Sequence, residues 1–348
     1  MIKSLAYAAP AAGKPLAPFT VERREPGPEE VLLDVLFCGV CHSDVHQVRD
    51  EWGGSTFPMV PGHEIVGRVS KAGAKVTKFK VGDLAGVGCM VDSCHACDPC
   101  KRDLEQFCEQ DAAFTYNSTE MDRKTKTQGG YSTRITVPES FALRIPKGLD
   151  PAGAAPLLCA GITTYSPLRQ YGCKKGDKVG VVGLGGLGHM AVKLAAAMGA
   201  EVTVLSTSRS KEQDARRLGA TGFESTKEEG TFKKLAGHFD LILDTISAPH
   251  DYNAYLGMLR VQGTMVVVGV PPAPTPVHAF SLISGNKRLA GSLIGGIAQT
   301  QEMLDFCGQH QIVSDIEVIP AQKINEAYDR MVKGDVRYRF VIDAASIG

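Results

Sequence analysis

The sequence predicts an α/β protein with two domains, one rich in β-strands and one built on a doubly wound parallel sheet. Its 348 residues are enough for two domains of ordinary size, and 43% of them are hydrophobic. The N-terminal part contains short β-type runs broken by Gly and Pro, such as "EEVLLDVLFCGVC". From "PAGAAPLLCAGITTYSPL" onwards, strand and helix patterns alternate, which is typical of a parallel sheet.

The elements of the second domain follow one another clearly. "KVGVV" is a predicted strand, "GLGGLG" a turn and "HMAVKLAAAMG" a helix. "FDLILDTI" and "GTMVVVGV" are continuous apolar runs, as expected for parallel strands covered on both faces. Near the C-terminus, "QTQEMLDFCGQH" predicts a helix and "YRFVID" predicts a strand.

Charge and composition exclude several classes of function. Lys plus Arg and Asp plus Glu both number 38, so the formal charge is zero, which argues against a nucleic-acid or membrane-surface binder. The N-terminal "MIKSLAYAAPAAGKP" lacks the apolar core of a signal peptide, and no later apolar run is long enough to span a bilayer. A cytoplasmic protein with reduced thiols is expected, in which clustered cysteines are metal ligands rather than disulfides.

The glycine turn predicts a dinucleotide site. Gly183, Gly185 and Gly188 form G-x-G-x-x-G between a predicted strand and a predicted helix. In such a turn the first Gly permits the tight bend, the second lets the backbone approach a pyrophosphate, and the third allows close helix packing. The pyrophosphate then lies at the positive end of the helix dipole. The alternative is a glycine-rich turn without a ligand.

The end of the next strand favours NADP over NAD. An NAD-binding domain normally has an acidic residue there, to bind the ribose 2′-hydroxyl. This sequence has the hydroxyl residues 206–208 instead, with Arg209 and Lys211 after them and no acid before Glu212. Hydroxyls and cations can bind a 2′-phosphate, which no carboxylate would then repel. The alternative is an ordinary polar turn with Ser as the helix N-cap.

Four cysteines with the spacing C-x2-C-x2-C-x7-C predict a structural zinc site. Cys94, Cys97, Cys100 and Cys108 can complete a tetrahedral coordination sphere, which leaves no open position for chemistry. The iron–sulfur alternative fits less well, because the bacterial ferredoxin run has three residues before its last cysteine, which Pro follows. His95 lies within this segment and is predicted to be a surface residue.

A second set of metal-binding residues is scattered along the chain. Cys41, His63 and Cys159 could supply two thiolates and one imidazole, as in catalytic zinc sites that keep one position open. Each of them has a simpler explanation, since buried free cysteines and hydrogen-bonded interior histidines are common. The sequence alone does not show that the three residues lie close together.

At this point a family resemblance is evident in six segments: "CGVCHSDVHQVRDEW", "PGHEIVG", "GVGCMVDSCHACDPC", "APLLCAGITTYSPL", "GLGGLGHMAVK" and "DVRYRFVID". Over nearly its whole length the chain resembles the zinc-dependent medium-chain alcohol dehydrogenases, especially the cinnamyl-alcohol-dehydrogenase-like branch of NADP-dependent aldehyde reductases. The resemblance implies a GroES-like β-rich catalytic domain over residues 1–158, with a structural-zinc lobe at 89–110. It also implies a Rossmann domain over 159–295 and a return to the catalytic domain at 296–348.

The resemblance also implies roles for individual residues. Cys41, His63 and Cys159 are expected to bind the catalytic zinc, with Glu64 as an alternate ligand, and the four clustered cysteines a second, structural zinc. Ser43 and His46 are expected to form a proton relay, and Asp44 to orient a ligating imidazole. Contacts with the cofactor are expected from His42, Thr163, Gly183, Leu184, Gly185, Gly186, Leu187, Gly188, Ser206, Thr207, Ser208, Lys211, Val268, Gly269, Val270, Ser292 and Ile294.

The implied activity is hydride transfer between NADP(H) and a primary alcohol or aldehyde, in a homodimer formed through the "VVVGVPP…GSLIGG" region. Trp52, the only tryptophan, is predicted either to line the substrate pocket or to pack in the core. Without the resemblance, His46 would be interpreted as a surface histidine. Two alternatives stay open, a polyol or formaldehyde-type dehydrogenase and a non-enzymatic zinc-binding adaptor.

Overall fold

The computed structural model of the protein describes all 348 residues. Its strands are β1 (Ile2–Ala8), β2 (Ala17–Arg23), β3 (Glu30–Val40), β4 (Ile65–Ala72), β5 (Leu84–Val87), β6 (Met90–Asp92), β7 (Ala113–Phe114), β8 (Arg134–Pro138), β9 (Leu143–Arg144), β10 (Lys178–Val182), β11 (Glu201–Ser206), β12 (Gly222–Ser225), β13 (Phe239–Asp244), β14 (Leu259–Val267), β15 (Arg288–Gly291), β16 (Ile316–Pro320) and β17 (Arg339–Asp343). Its α-helices are α1 (His42–Val48), α2 (Asp98–Lys101), α3 (Pro151–Ala154), α4 (Ala160–Gln170), α5 (Gly188–Ala197), α6 (Glu212–Leu218), α7 (Thr231–Lys234), α8 (Tyr252–Met258), α9 (Phe280–Ile283), α10 (Ile297–His310) and α11 (Ile324–Val332).

The chain divides into two compact units. The first unit comprises Met1–Cys159 and Gly295–Gly348, and the second comprises Ala160–Ile294. The boundaries inferred from the sequence lie one residue away at each end, so that Cys159 and Gly295 belong to the first unit.

The first unit is built on a seven-stranded mixed sheet. Its strand order is β16-β17-β3-β4-β5-β9, and β8 pairs with β3. The long strand β3 is antiparallel to β4, β8 and β17, so that residues far apart in the sequence become neighbours. Buried side chains on β3 and β4, such as Val31, Leu33 and Ile65, form the core that supports the loop after β3.

The second unit contains the predicted doubly wound sheet. All neighbours in the order β12-β11-β10-β13-β14-β15 are parallel. The chain adds strands outwards from β10 in one direction and then, from β13, in the other. The carboxyl ends of β10 and β13 therefore lie at the topological switch point, which is where such sheets bind ligands. The fold class predicted from the sequence is confirmed.

The predicted elements have clear physical causes. The β-branched residues Val179, Val181, Val202 and Val204 are fully buried on β10 and β11, as expected where helices cover both faces of a sheet. The predicted glycine-turn helix, C-terminal helix and last strand are α5, α10 and β17. None of the helices combines the length and the apolar character that crossing a lipid bilayer requires.

Candidate active site

Four potential metal ligands meet in the first unit. Cys41 directly precedes α1, and His63 and Glu64 directly precede β4. Cys159 is the residue before α4. One ligand atom from each of these buried residues lies within 4.8 Å of the others. The Sγ atoms of Cys41 and Cys159 are 4.0 Å apart although 118 residues separate them. The fold thus brings together the set that the sequence could only present as scattered residues.

Asp44 orients two of these ligands. Its fully buried carboxylate accepts hydrogen bonds from the Cys41 amide (2.8 Å) and the Tyr131 hydroxyl (2.9 Å). Asp44 Oδ1 also lies 3.2 Å from His63 Nδ1. Burial disfavours a charged imidazole, but the adjacent Asp44 carboxylate outweighs this and raises the pKa of His63. Since Nδ1 faces the carboxylate, Nε2 is the atom of His63 available to a metal.

Glu64 is held by an arginine that arrives from the last strand. Arg339 on β17 donates from Nη2 to Glu64 Oε1 (2.5 Å) and to the Val40 carbonyl (3.0 Å). Glu64 Oε2 is buried and has no hydrogen-bond partner. Gly39 makes room for this arrangement, because a Cβ there would lie 1.9 Å from Oε2. Burial raises the pKa of Glu64, and the charge of Arg339 opposes that rise.

The donor chemistry fits a zinc ion. Two sulfur ligands of a tetrahedral zinc are about 3.8 Å apart, given a Zn–S distance of about 2.3 Å. The 4.0 Å separation of the Cys41 and Cys159 sulfurs is close to this value. An unpartnered carboxylate oxygen next to two thiols and an imidazole is also explained by a cation at their centre.

The four clustered cysteines form a second group suited to a metal. The ligand atoms of Cys94, Cys97, Cys100 and Cys108 lie within 4.8 Å of one another. Hydrogen bonds from the amides of Ala96 and Cys97 lower the pKa of Cys94 to about 6, which favours the thiolate that zinc requires. His95 is exposed and bonds to Asp92 (2.8 Å) rather than joining the cluster, as predicted.

In the second unit, the glycine turn has the features of a pyrophosphate cradle. Gly183 has a φ of +87°, and a Cβ there would lie 2.4 Å from the Ile246 side chain. A Cβ on Gly188 would lie 2.1 Å from the Gly183 carbonyl oxygen. At Gly185, by contrast, a Cβ would meet nothing within 4 Å, so the backbone there is open to a ligand. Each glycine thus meets the requirement that the motif places on it.

Hydroxyl and charged side chains gather at the carboxyl end of β11. Ser206–Ser208 occupy this end, and Ser208 Oγ accepts a hydrogen bond from the Ser210 amide (3.2 Å). Lys211 Nζ donates to the Leu184 carbonyl of the glycine turn (2.8 Å). The sequence predicts that the Arg209 cation helps to bind a 2′-phosphate, but in the structure its guanidinium bonds to the carboxylates of Glu228 and Glu212.

Helix α1 contains Ser43 and His46, the two residues predicted to form a proton relay. Cys41 Sγ lies 3.6 Å from Ser43 Oγ. His46 contacts Glu51 through Nδ1, and its ring stacks on Trp52 with a centroid distance of 4.8 Å. Trp52 is 49% exposed, so the alternative of core packing is wrong.

Comparison with known proteins identifies the family. Residues 27–147 match the model of the alcohol dehydrogenase GroES-like domain, and residues 186–309 match that of the zinc-binding dehydrogenase. The chain belongs to the zinc-dependent alcohol dehydrogenases. This membership confirms the resemblance and makes the protein an oxidoreductase. It argues against a non-enzymatic zinc-binding adaptor.

Individual members of the alcohol dehydrogenase family are similar over nearly the whole chain. "NADP-dependent alcohol dehydrogenase C 1" of Mycolicibacterium smegmatis is 55% identical, with 98% of each chain covered. "Aldehyde reductase YahK" of Escherichia coli is 51% identical, again with 98% of each covered. The solved structure of a cinnamyl alcohol dehydrogenase from Sorghum bicolor superimposes with a TM-score of 0.96 at 45% identity, covering 99% of this chain and 98% of that one.

The remaining predicted cofactor residues of this dehydrogenase lie in both units. In the first unit, His42 is exposed at the start of α1. In the second unit, Thr163 is buried in α4, and Ser292 bonds through its amide to the Val267 carbonyl (3.2 Å), two residues before Ile294. The segment Val268–Val270 follows β14, where the amides of its first two residues donate to the Asp244 carbonyl.

Three residues around these sites were missed by sequence reasoning. Arg339 lies in "DVRYRFVID", one of the segments that carry the family resemblance, but the sequence predicted no role for it. Glu51 follows the predicted relay by five residues, and Tyr131 bonds Asp44 from 87 residues away. The pairing of Arg339 with Glu64 spans 275 residues, and no local pattern reveals it.

Proposed function

We propose that the protein is an NADP(H)-dependent aldehyde reductase that acts on aromatic and aliphatic aldehydes. It also catalyses the reverse reaction, the oxidation of primary alcohols. The observation that carries the proposal is the convergence of Cys41, His63, Glu64 and Cys159 within 4.8 Å. The named relatives add support, since one is an NADP-dependent alcohol dehydrogenase, one an aldehyde reductase and one a cinnamyl alcohol dehydrogenase. A polyol or formaldehyde-type dehydrogenase is the alternative.

Cys41, His63 and Cys159 would hold the catalytic zinc. When bound, this zinc supplies Lewis acidity towards the substrate oxygen, and NADPH supplies the hydride. Asp44 keeps His63 and the Cys41 backbone in position for this role. Glu64 would act as an alternate ligand through Oε2, which has no other partner. Cys94, Cys97, Cys100 and Cys108 would hold a second, structural zinc.

Ser43, His46 and Glu51 would move the proton that reduction requires. Glu51 accepts from His46 Nδ1. Nε2 would therefore be the nitrogen of His46 that exchanges a proton with Ser43. An imidazole suits this task because its ordinary pKa lies near neutral pH. Trp52 covers one face of the ring and would also form an apolar wall for the substrate.

Changing Glu51 to Gln is expected to slow proton transfer, because an amide oxygen is a weaker hydrogen-bond acceptor than a carboxylate and holds the imidazole less firmly. We expect kcat for benzaldehyde reduction to fall by about tenfold, below the range for loss of a whole acid–base group. NADPH affinity should not change, and the solvent deuterium isotope effect on kcat should increase. Glu29→Gln, an exposed change in the same unit, is the control; an unchanged kcat in Glu51→Gln would contradict the relay.

A substrate panel with both nucleotides tests the function. We expect oxidation of NADPH with benzaldehyde and cinnamaldehyde, slower turnover with NADH, and two zinc ions per chain by elemental analysis. A single ion, or iron, would contradict the two-site assignment. Turnover only with formaldehyde or with polyols would favour the alternative dehydrogenases.

Changing Ser206 to Asp is expected to shift nucleotide preference from NADP to NAD. The new carboxylate at the end of β11 would repel a 2′-phosphate and accept a hydrogen bond from a ribose hydroxyl. We expect the ratio of kcat/KM for NADPH to that for NADH to fall at least about tenfold, as for loss of a charge-assisted contact. Ser206→Ala separates loss of the hydroxyl from addition of charge. A preference for NADH in the unmodified protein would contradict the assignment.

We also propose that two copies associate through the second unit. Strand β15 is an edge of the parallel sheet, and unpaired edge strands readily pair with another chain. Phe280, Ile283, Leu293 and Val270 are exposed apolar residues in the segments before and after this strand. Light scattering is expected to give the mass of a dimer, and a monomer at micromolar concentration would contradict this.

A further inference from the structure

The loop after β12 lies beside the candidate 2′-phosphate site. The Thr226 amide donates to the Ser206 carbonyl (2.8 Å), and the Thr226 hydroxyl donates to the same oxygen (3.3 Å). These bonds connect the last residue of β11 with the first residue after β12, next to the end of the parallel pairing. Glu228, two residues further along, therefore stands next to the hydroxyl-rich turn 206–208.

Glu228 binds Arg209 along one edge of its guanidinium. Arg209 donates to the Glu228 carboxylate through Nε and through Nη2, the latter at 2.7 Å. Its Nη1 donates to Glu212 Oε2 at 3.0 Å. Three of the five N–H groups are thus committed to carboxylates, and the Nε/Nη2 edge is no longer available for bidentate binding of a phosphate.

Carboxylates surround Arg209 at this turn. Glu212 and Glu228 both form ion pairs with its guanidinium. Lys211 reaches back to the Leu184 carbonyl. The hydroxyl groups of 206–208 can bind a 2′-phosphate, but Glu228 both occupies Arg209 and adds a negative charge close to the phosphate.

We propose that Glu228 is a specificity-determining residue that limits the preference for NADP(H) by holding Arg209 away from the 2′-phosphate. The inference rests on the proposed use of NADP(H) and adds what sets the strength of that preference. Without the Glu228 carboxylate, Arg209 can turn its bidentate edge to the phosphate, while the contacts of NAD(H) are unaffected.

Fluorescence titrations of NADPH and NADH with Glu228→Gln test the proposal. We expect the Kd for NADPH to fall about three- to fivefold, the scale of an exposed charge pair, and the Kd for NADH to stay the same. NADPH binding should also become more sensitive to salt, because one more cation then contacts the ligand. Glu229→Gln is the matched control, since it makes the same charge change at the neighbouring exposed residue.

A double-variant cycle shows whether Arg209 is the residue released. Arg209→Ala is expected to weaken NADPH binding by no more than about twofold in the unmodified protein and by about fivefold in the Glu228→Gln background. Equal effects in both backgrounds would overturn the proposal. All these side chains are exposed, so the variants should keep the unmodified thermal midpoint.

Two further outcomes would overturn the proposal. Weaker NADPH binding in Glu228→Gln would mean that Glu228 presents Arg209 to the phosphate. An NADPH Kd equal to that of the unmodified protein would mean that Glu228 has no part in recognition. Failure of the proposed cofactor is a different result, because it shows as tighter NADH than NADPH binding in the unmodified protein. The ratio of the NADPH Kd of Glu228→Gln to that of the unmodified protein can be measured in either case.

Discussion

Replacing Cys41 by alanine is expected to lower kcat/KM for benzaldehyde reduction by at least about a thousandfold, while the chain stays folded. The magnitude follows from losing a Lewis acid that stabilises developing charge by several kcal/mol, at about 1.4 kcal/mol per factor of ten. Cys41 is one of only three protein side chains expected to hold the ion throughout, and its sulfur lies 4.0 Å from that of Cys159.

Three measurements distinguish loss of the ion from loss of the fold. Bound zinc should fall from two ions per chain to one, because the four-cysteine lobe uses a separate set of ligands. Far-ultraviolet circular dichroism and NADPH affinity should match the unmodified protein, since Cys41 lies outside the glycine turn and the sheet of the second unit.

Cys307→Ala is the matched control for this experiment. Cys307 is also a fully buried cysteine of the first unit, but it packs against Met303 in α10 and belongs to neither ligand set. Its replacement should leave activity and zinc content unchanged, apart from a modest loss of stability. If Cys41→Ala reduced benzaldehyde as fast as Cys307→Ala does, Cys41 would not be a ligand of a catalytic ion.

The parts that the sequence predicted well depend on local patterns. The glycine turn was recognisable because its strand, its three glycines and its helix are contiguous, and β10 and α5 begin and end close to the predicted residues. The four-cysteine lobe was recognisable for the same reason, since all its ligands lie within fifteen residues, Cys94 to Cys108. The spacing of motif residues therefore predicts a site well when all residues of the site lie in one contiguous segment.

The parts that it missed depend on pairing between distant segments. Arg339 donates to the potential ligand Glu64, and Tyr131 donates to Asp44, which orients His63. Both residues lie far from their partners in the sequence, and the fold brings them near β3 and α1. The prediction for Arg209 was only partly correct. Its position beside the hydroxyl turn was correctly expected, but its availability depends on Glu228, which the pairing of β12 with β11 places next to it.

Replacing Arg339 by methionine is expected to destabilise the first unit by about 3–5 kcal/mol, the usual effect of removing one partner of a buried ion pair. Arg339 is 4% exposed and Glu64 is fully buried, so water cannot replace the lost hydrogen bonds. Without the guanidinium, both Glu64 oxygens would lack a hydrogen-bond donor, and the Val40 carbonyl would lose one as well. Methionine is chosen because it fills much of the volume of the arginine stem.

Thermal unfolding of three variants isolates the cause. Arg134→Met makes the same substitution at an exposed pair in the same unit, where Arg134 bonds Asp34 at 3.1 Å, and should cost at most about 1 kcal/mol. The double variant Glu64→Gln with Arg339→Met should recover part of the loss, because a neutral amide replaces the stranded carboxylate. If Arg339→Met unfolded at the same temperature as Arg134→Met, the Glu64 carboxylate would not depend on Arg339, and its charge would have to be balanced by the metal alone.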